Sequence, residues 1–167
     1  MTLEEAIKTA IDYEIKVRDA YLDNVDNITD ETGRSVFKRL GDEEQGHLDF
    51  LEARLSEWQE TGSVSQAKLG TIVPDRKTIE EGVRKLDGHL SERDYGTERE
   101  MLRKALLLEQ ETSKFYRRMV DELGEDGKLF KPFLEIEEGH EAIVQAELDY
   151  LNKTGNFFDF QEFNMEH

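Results

Sequence analysis

Two tetrapeptides carry the chemistry of this sequence, Glu44-Gln-Gly-His47 and Glu137-Glu-Gly-His140. In each, a carboxylate stands three residues before an imidazole. On an α-helix that spacing puts both side chains on one face, about a turn apart, where they can reach a single point. Oxygen and imidazole donors without a thiolate suit iron or manganese, and zinc can take their place. Acids make up 39 of the 167 residues, so one such tetrapeptide alone carries little weight. Two further glutamates add to it: Glu14 and Glu109 stand where apolar residues are due.

Apolar period predicts the helices that must hold these six residues. In the first, Leu3, Ile7, Ala10, Val17, Tyr21 and Val25 form one face, with Glu14 on it. Thr2 and Glu5 form a capping box at its start. The second runs from about Gly33 to Gln59, with Phe37, Leu40, Leu51, Leu55 and Trp58 inward; Glu44 and His47 share that face and Gly62 is the stop. The third opens on a Thr97–Glu100 capping box and turns Leu102, Ala105, Tyr116, Met119 and Leu123 inward, with Glu109 and Thr112 among them. The fourth spans about Gly127 to Asn152, with Phe130, Phe133, Val144 and Leu151 inward beside Glu137 and His140. Pro132 requires that this helix start late or bend.

About residues 61–96 connect the second helix to the third, with a short amphipathic helix from Thr78 to about Leu90. The other two connections are short. The expected fold is all-α: a four-helix bundle of two helical hairpins joined by a long crossover, over residues 1–152. The hairpins repeat. An offset of 95 carries Glu14 to Glu109, Tyr21 to Tyr116 and Ala10 to Ala105; an offset of 93 carries Glu44, Gly46 and His47 to Glu137, Gly139 and His140.

Packed face to face, the hairpins bring four carboxylates and two imidazoles together at mid-bundle. Desolvation and mutual repulsion forbid four bare buried carboxylates. Two divalent cations balance them. Two glutamates can bridge, and each metal can take one further Glu and one His.

The pattern Glu14…Glu44-x-x-His47…Glu109…Glu137-x-x-His140 resembles the ferritin-like di-iron carboxylate proteins. The tyrosine seven residues after each lone Glu, and the long crossover, look most like the rubrerythrin branch. The resemblance covers about residues 1–152. It implies two iron ions cycling between ferrous and ferric, reduction of hydrogen peroxide or dioxygen, and a homodimer. Rubrerythrins carry a further rubredoxin-like domain with four cysteine ligands. This chain has no cysteine, so electrons are expected from a separate, rubredoxin-like protein. Where those proteins resemble one another in an extra Glu one turn after the third-helix ligand, this chain has Thr112.

Several neighbours bear on the site. Tyr21 and Tyr116 are expected to hold ligand carboxylates of the opposite half, as hydrogen-bonding groups around metal ligands do. Thr112 is placed beside the ligands with them. Glu43 and Glu138 point off the inward face and read as solvated. Glu147 is expected to pair with Arg54, and Trp58 to be core at one end of the bundle. Gly46 and Gly139 stand directly before the two histidines, where a missing Cβ would let a neighbouring helix approach or the imidazole turn. His89 and His167 lack a partner pattern and are left out of the site. The tail, 153–167, holds Phe157, Phe158, Phe160 and Phe163, too apolar a set for water; it is expected to dock on the bundle or on a partner subunit.

The net charge of −17 argues against nucleic acid and anionic membrane as partners. Without cysteine there are no disulfides, thiolate sites or cysteine nucleophiles. No signal peptide or membrane span is recognisable, and the cytoplasm is the expected compartment. Two other readings remain open. One is an iron-binding or ferroxidase protein of metal homeostasis with no peroxidase cycle. The other is a structural bundle whose polar layer only fixes register.

Overall fold

Side-chain caps set the starts of the first three helices. The structure is a computed structural model that describes residues 1–65, 69–86 and 95–165. Helix α1 spans Leu3–Leu22; Thr2 accepts the Glu5 amide at 3.2 Å and its hydroxyl donates to the Glu5 carboxylate. Helix α2 spans Glu31–Thr61, two residues earlier than the Gly33 expected, because Asp30 caps the Gly33 amide at 2.8 Å. Helix α3, Arg76–Lys85, begins on Asp75, which accepts the Thr78 amide. Helix α4 spans Gly96–Glu122, α5 Lys131–Thr154 and α6 Gln161–Met165. Gly62 and Gly155 end α2 and α5 in the left-handed region, with φ of 73° and 76°.

Further boundaries depart from the sequence reading. The Thr97–Glu100 box does not form: α4 starts two residues earlier, with Tyr95 in place of Thr97 at the cap position and no side-chain cap. Tyr95 is pinned there by its ring against Phe157 and its hydroxyl on Asp30. The short crossover helix opens at Arg76 rather than Thr78 and ends at Lys85, where Leu86 turns extended, rather than near Leu90; His89 and His167 lie outside the described residues. Pro132 sits in the first turn of α5, and a 3₁₀ helix, Gly124–Phe130, precedes it, so the helix starts late instead of bending.

The fold is all-α, with no strand among the described residues. Helix α1 packs on α2, α4 on α5, and α1 on α4. Two apolar clusters lie at opposite ends of these helices. One gathers Leu3, Ala6, Ile7 and Ala10 of α1 with Leu51, Phe115, Met119, Phe130 and Phe133. The other gathers Val17 and Tyr21 with Phe37, Leu40, Leu102, Val144 and Leu151. The direction of each helix follows. Helices α1 and α5 run from the first cluster to the second, and α2 and α4 run the opposite way. The crossover must therefore travel back along the molecule, which is why it is long. Trp58 packs half-buried against the first cluster.

The tail returns onto its own chain. Phe157, Phe158, Phe160 and Phe163 are buried in the second cluster. Two glycines admit them. A Cβ on Gly33 would lie 2.7 Å from the Phe157 ring, and one on Gly82 would lie 2.6 Å from the Phe163 ring. No helix among the described residues is long and apolar enough to cross a membrane.

The glycines before the histidines behave otherwise. A Cβ on Gly46 or Gly139 would meet nothing within 4 Å. The crowding expected there is absent, and nothing in the structure requires glycine at either place. Helical glycine costs about 1 kcal/mol relative to alanine. Gly46→Ala and Gly139→Ala are each expected to raise the unfolding free energy by about that amount, read from denaturant midpoints at constant slope. A loss of stability in either variant contradicts the open-space geometry.

Candidate metal centre

Between the two apolar clusters lies a polar layer. Glu14 of α1 sits between Ala10 and Val17, and Glu109 of α4 between Ala105 and Tyr116. Glu44 and His47 of α2 and Glu137 and His140 of α5 complete it. All six are at most 1% exposed. The layer forms because each residue occupies an inward register of a helix whose other inward residues are apolar, so packing those residues buries the acids with them.

The six residues form two quartets. Donor atoms of Glu14, Glu44, His47 and Glu137 all lie within 4.8 Å of one another, and so do those of Glu44, Glu109, Glu137 and His140. Glu44 and Glu137 belong to both. Each imidazole turns Nδ1 toward the shared carboxylate of the facing helix: His47 to Glu137 at 3.0 Å and His140 to Glu44 at 2.7 Å. The rings lie 5.8 Å apart, nearly parallel.

Each lone glutamate is held by a tyrosine from the other half. Tyr21 donates to Glu109 at 2.8 Å, and Tyr116 donates to Glu14 at 2.6 Å. Thr112 does not join them. It is buried, but its hydroxyl donates to the Leu108 carbonyl, 2.7 Å away on its own helix, and so holds no ligand.

The donor set fits a cation pair. One oxygen of each carboxylate, Oε2 of Glu14, Glu44, Glu109 and Glu137, is buried with no hydrogen-bond partner. Four such oxygens pointing into one layer would each cost kilocalories per mole if left bare. Residues with this chemistry and spacing could hold metal ions.

Without a cation the layer balances itself with protons. Burial raises the Glu14 carboxyl, but the neighbouring Glu44 carboxyl, the His47 charge and the Tyr116 hydroxyl outweigh it and bring it down to about 2. Glu109 is lowered in the same manner, against burial, by Glu137, His140 and Tyr21. Burial and the Glu14 and Glu109 charges push Glu44 up to about 8. Burial and the neighbouring carboxylates push Glu137 well up too. Burial opposes charge on His47, yet Glu44 and Glu14 carry it up to about 10. His140 rises likewise, through Glu44 and Glu109.

Two expectations about the neighbours are overturned. Arg54 and Glu147 do not pair. Each lies seven residues past a ligand histidine, but on helices that run in opposite directions, so they sit at opposite ends. Arg54 stacks over Phe50 and meets Glu57 at 3.6 Å. Glu147 is fully buried and accepts the Phe158 amide of the tail at 3.0 Å. Glu43 is not solvated. Its side chain is 8% exposed, and its Oε1 accepts from Nε2 of His140 at 2.8 Å. Glu138 is the solvated one, paired with Arg117 at the surface. The sequence offers one cue to Glu43, its place directly before a ligand. The chain segment that covers it, Thr71 and Ile72, is 28 residues away and becomes evident only in the fold.

Burial, with Asp159 and Asp30 nearby, raises the Glu147 carboxyl well above its ordinary 4.5, despite the Phe158 amide. The folded protein therefore binds this proton more tightly than the unfolded chain. Its contribution to stability is complete below about pH 4.5 and is lost as pH rises toward the folded value. Glu147→Gln removes that loss and keeps an acceptor for Phe158. The melting temperature of the variant minus that of the natural chain is expected to grow steadily between pH 5 and pH 8. A difference that stays flat across that range contradicts the assignment.

Comparison of the chain with protein-family models, with curated proteins and with solved structures finds no match.

Proposed function

We propose that the chain is a non-haem di-iron protein of the rubrerythrin type, which reduces hydrogen peroxide or dioxygen with electrons from a separate donor protein. The observation that carries this reading is the pair of quartets sharing Glu44 and Glu137, each carboxylate with an unpartnered oxygen turned inward. The helix directions support a ferritin-like four-helix bundle with one long crossover. The resemblance adds a homodimer and a rubredoxin-like donor, since the chain has no cysteine for an iron–thiolate relay of its own.

In this reading Glu14 and His47 would hold one ion, Glu109 and His140 would hold the other, and Glu44 and Glu137, common to both quartets, would serve both. When bound, two ferrous ions supply one electron each, which with two protons converts hydrogen peroxide to two waters. The protein residues do the rest. Tyr21 and Tyr116 fix the lone carboxylates, so that one oxygen of each stays aimed into the layer. The apolar clusters above and below keep bulk water out.

A second reading, binding or oxidation of ferrous iron without turnover, draws on the charge of −17, which attracts cations. Stopped-flow mixing tests both. Protein loaded with two ferrous ions per chain is expected to oxidise rapidly with peroxide and to repeat the cycle when re-reduced. A single oxidation with iron retained as product favours the second reading.

A further inference from the structure

We infer that Glu43 is a positioning residue for His140 and that it makes the two metal positions unequal, the one served by His140 being the tighter. The inference rests on the metal-binding reading above.

The two imidazoles look alike from inside the layer, since each turns Nδ1 inward. They differ on the outside. Nε2 of His140 lies 2.8 Å from the Glu43 carboxylate. Nε2 of His47 is buried with no hydrogen-bond partner. The repeat explains the difference. The offset of 93 that maps Glu44 to Glu137 maps Glu43 to Ile136, and Ile136 is buried at 7% exposure. Glu43 of α2 serves the histidine of α5, so the residue that would serve His47 is an isoleucine, which accepts nothing.

Glu43 is itself fixed from outside the helices. Thr71 donates its hydroxyl to Oε1, and the Ile72 amide donates to Oε2 at 3.1 Å. The Ile72 carbonyl in turn accepts from Asn164 of the tail at 2.9 Å. A continuous run of hydrogen bonds thus leads from the tail through the crossover to one ligand ring. The other ring has no counterpart.

A carboxylate on the outer ring N–H does two things. It fixes the tautomer and the ring plane, so that Nδ1 stays free and aimed at the cation. It also makes Nδ1 a stronger donor as the N–H leans toward the carboxylate. Loss of such a partner costs roughly ten- to a hundredfold in metal affinity. Glu43 touches no position where a cation would sit between the quartets, so it acts through His140.

The test is a titration of the metal-free full chain with cobalt(II) at pH 7, followed calorimetrically, with paramagnetic proton spectra of the loaded protein. The natural chain is expected to take two ions in two steps separated by about tenfold to a hundredfold. In Glu43→Ala the first step should fall to the strength of the second. In Glu43→Gln, whose amide oxygen still accepts the ring N–H, the fall should be smaller. The exchangeable His140 Nε2–H signal should exchange slowly in the natural chain and fast in Glu43→Ala, which a merely structural loss would not select. Glu138→Ala removes an equal charge at the surface and should leave both steps in place. Two equal steps in the natural chain, unchanged steps in Glu43→Ala, or an equal loss in Glu138→Ala overturn the inference while leaving the metal site standing. A natural chain that binds no cobalt overturns both.

Discussion

Binding of two divalent cations at pH 7 is expected to release about four protons per chain and to raise the melting temperature by about 10–20 °C. The proton count follows from charge balance. In the metal-free layer Glu14 and Glu109 are lowered and ionised, while Glu44 and Glu137 are raised and neutral. His47 and His140 are raised and carry protons. Two negative and two positive charges cancel. With two dications in place all four glutamates must be ionised and both imidazoles neutral, and the layer is again balanced. The two states differ by the protons on Glu44, Glu137, His47 and His140. Metal affinity must then rise with pH, and the rise must weaken once pH passes about 8, where Glu44 gives up its proton unaided. Calorimetry in buffers of different protonation enthalpy counts the protons directly.

The thermal shift has the same origin. Free metal at a hundred times the dissociation constant stabilises by about 2.7 kcal/mol per site. Two sites give about 5 kcal/mol, and a chain of this size gains roughly 2–4 °C per kcal/mol. Chelation should reverse the gain. A polar layer that only fixed helix register would release no protons and leave the melting temperature where it was, so the same titration excludes that reading or sustains it.

The site residues were legible because of what surrounds them. Glu14 and Glu109 stand out only against the apolar residues one turn either side, and the repeat supplied a second copy of each. Fold class was legible for the same reason: the helical period is long and seldom interrupted. What could not be read depends on segments distant in sequence. Glu43 looks solvated on a helix wheel, because the crossover that covers it follows no helical period. Thr97 has the residue type of a cap, but Tyr95, anchored by Phe157 and Asp30, takes the position first. Arg54 and Glu147 match in offset, yet α2 and α5 run in opposite directions, which sends them to opposite ends. Glycines 46 and 139 invited an account based on crowding because the repeat keeps both. A repeated residue is a sign of common origin as much as of a steric need, and only the space around it distinguishes the two.

Replacing the two shared carboxylates is expected to have the largest effect on activity. At pH 7 Glu44 and Glu137 are neutral in the metal-free layer, so Glu44→Gln, Glu137→Gln exchanges two neutral groups for two of nearly the same shape. The metal-free variant should melt within a few degrees of the metal-free natural chain at or below about pH 4.5, where these carboxyls are neutral in the folded and the unfolded chain alike. Between about pH 4.5 and pH 8 it should melt increasingly higher, because the unfolded natural chain gives up the Glu44 proton that the folded layer keeps, and the Glu44 share of the difference is complete above about pH 8. Metal binding, in contrast, loses the two anionic donors common to both quartets. The variant should retain no ion pair, release no protons and show no thermal gain with ferrous iron. Its ferrous iron should then react with peroxide at the rate of iron free in solution. Glu44→Ala, Glu137→Ala should behave alike in the rate assay but melt lower, because it leaves two cavities in a packed layer. Rapid peroxide oxidation in the natural chain, matched by either double variant, would show that the reaction does not use this layer. An intact fold with the rate lost would assign the electrons to ions held between Glu44 and Glu137, since nothing else in the protein has been changed.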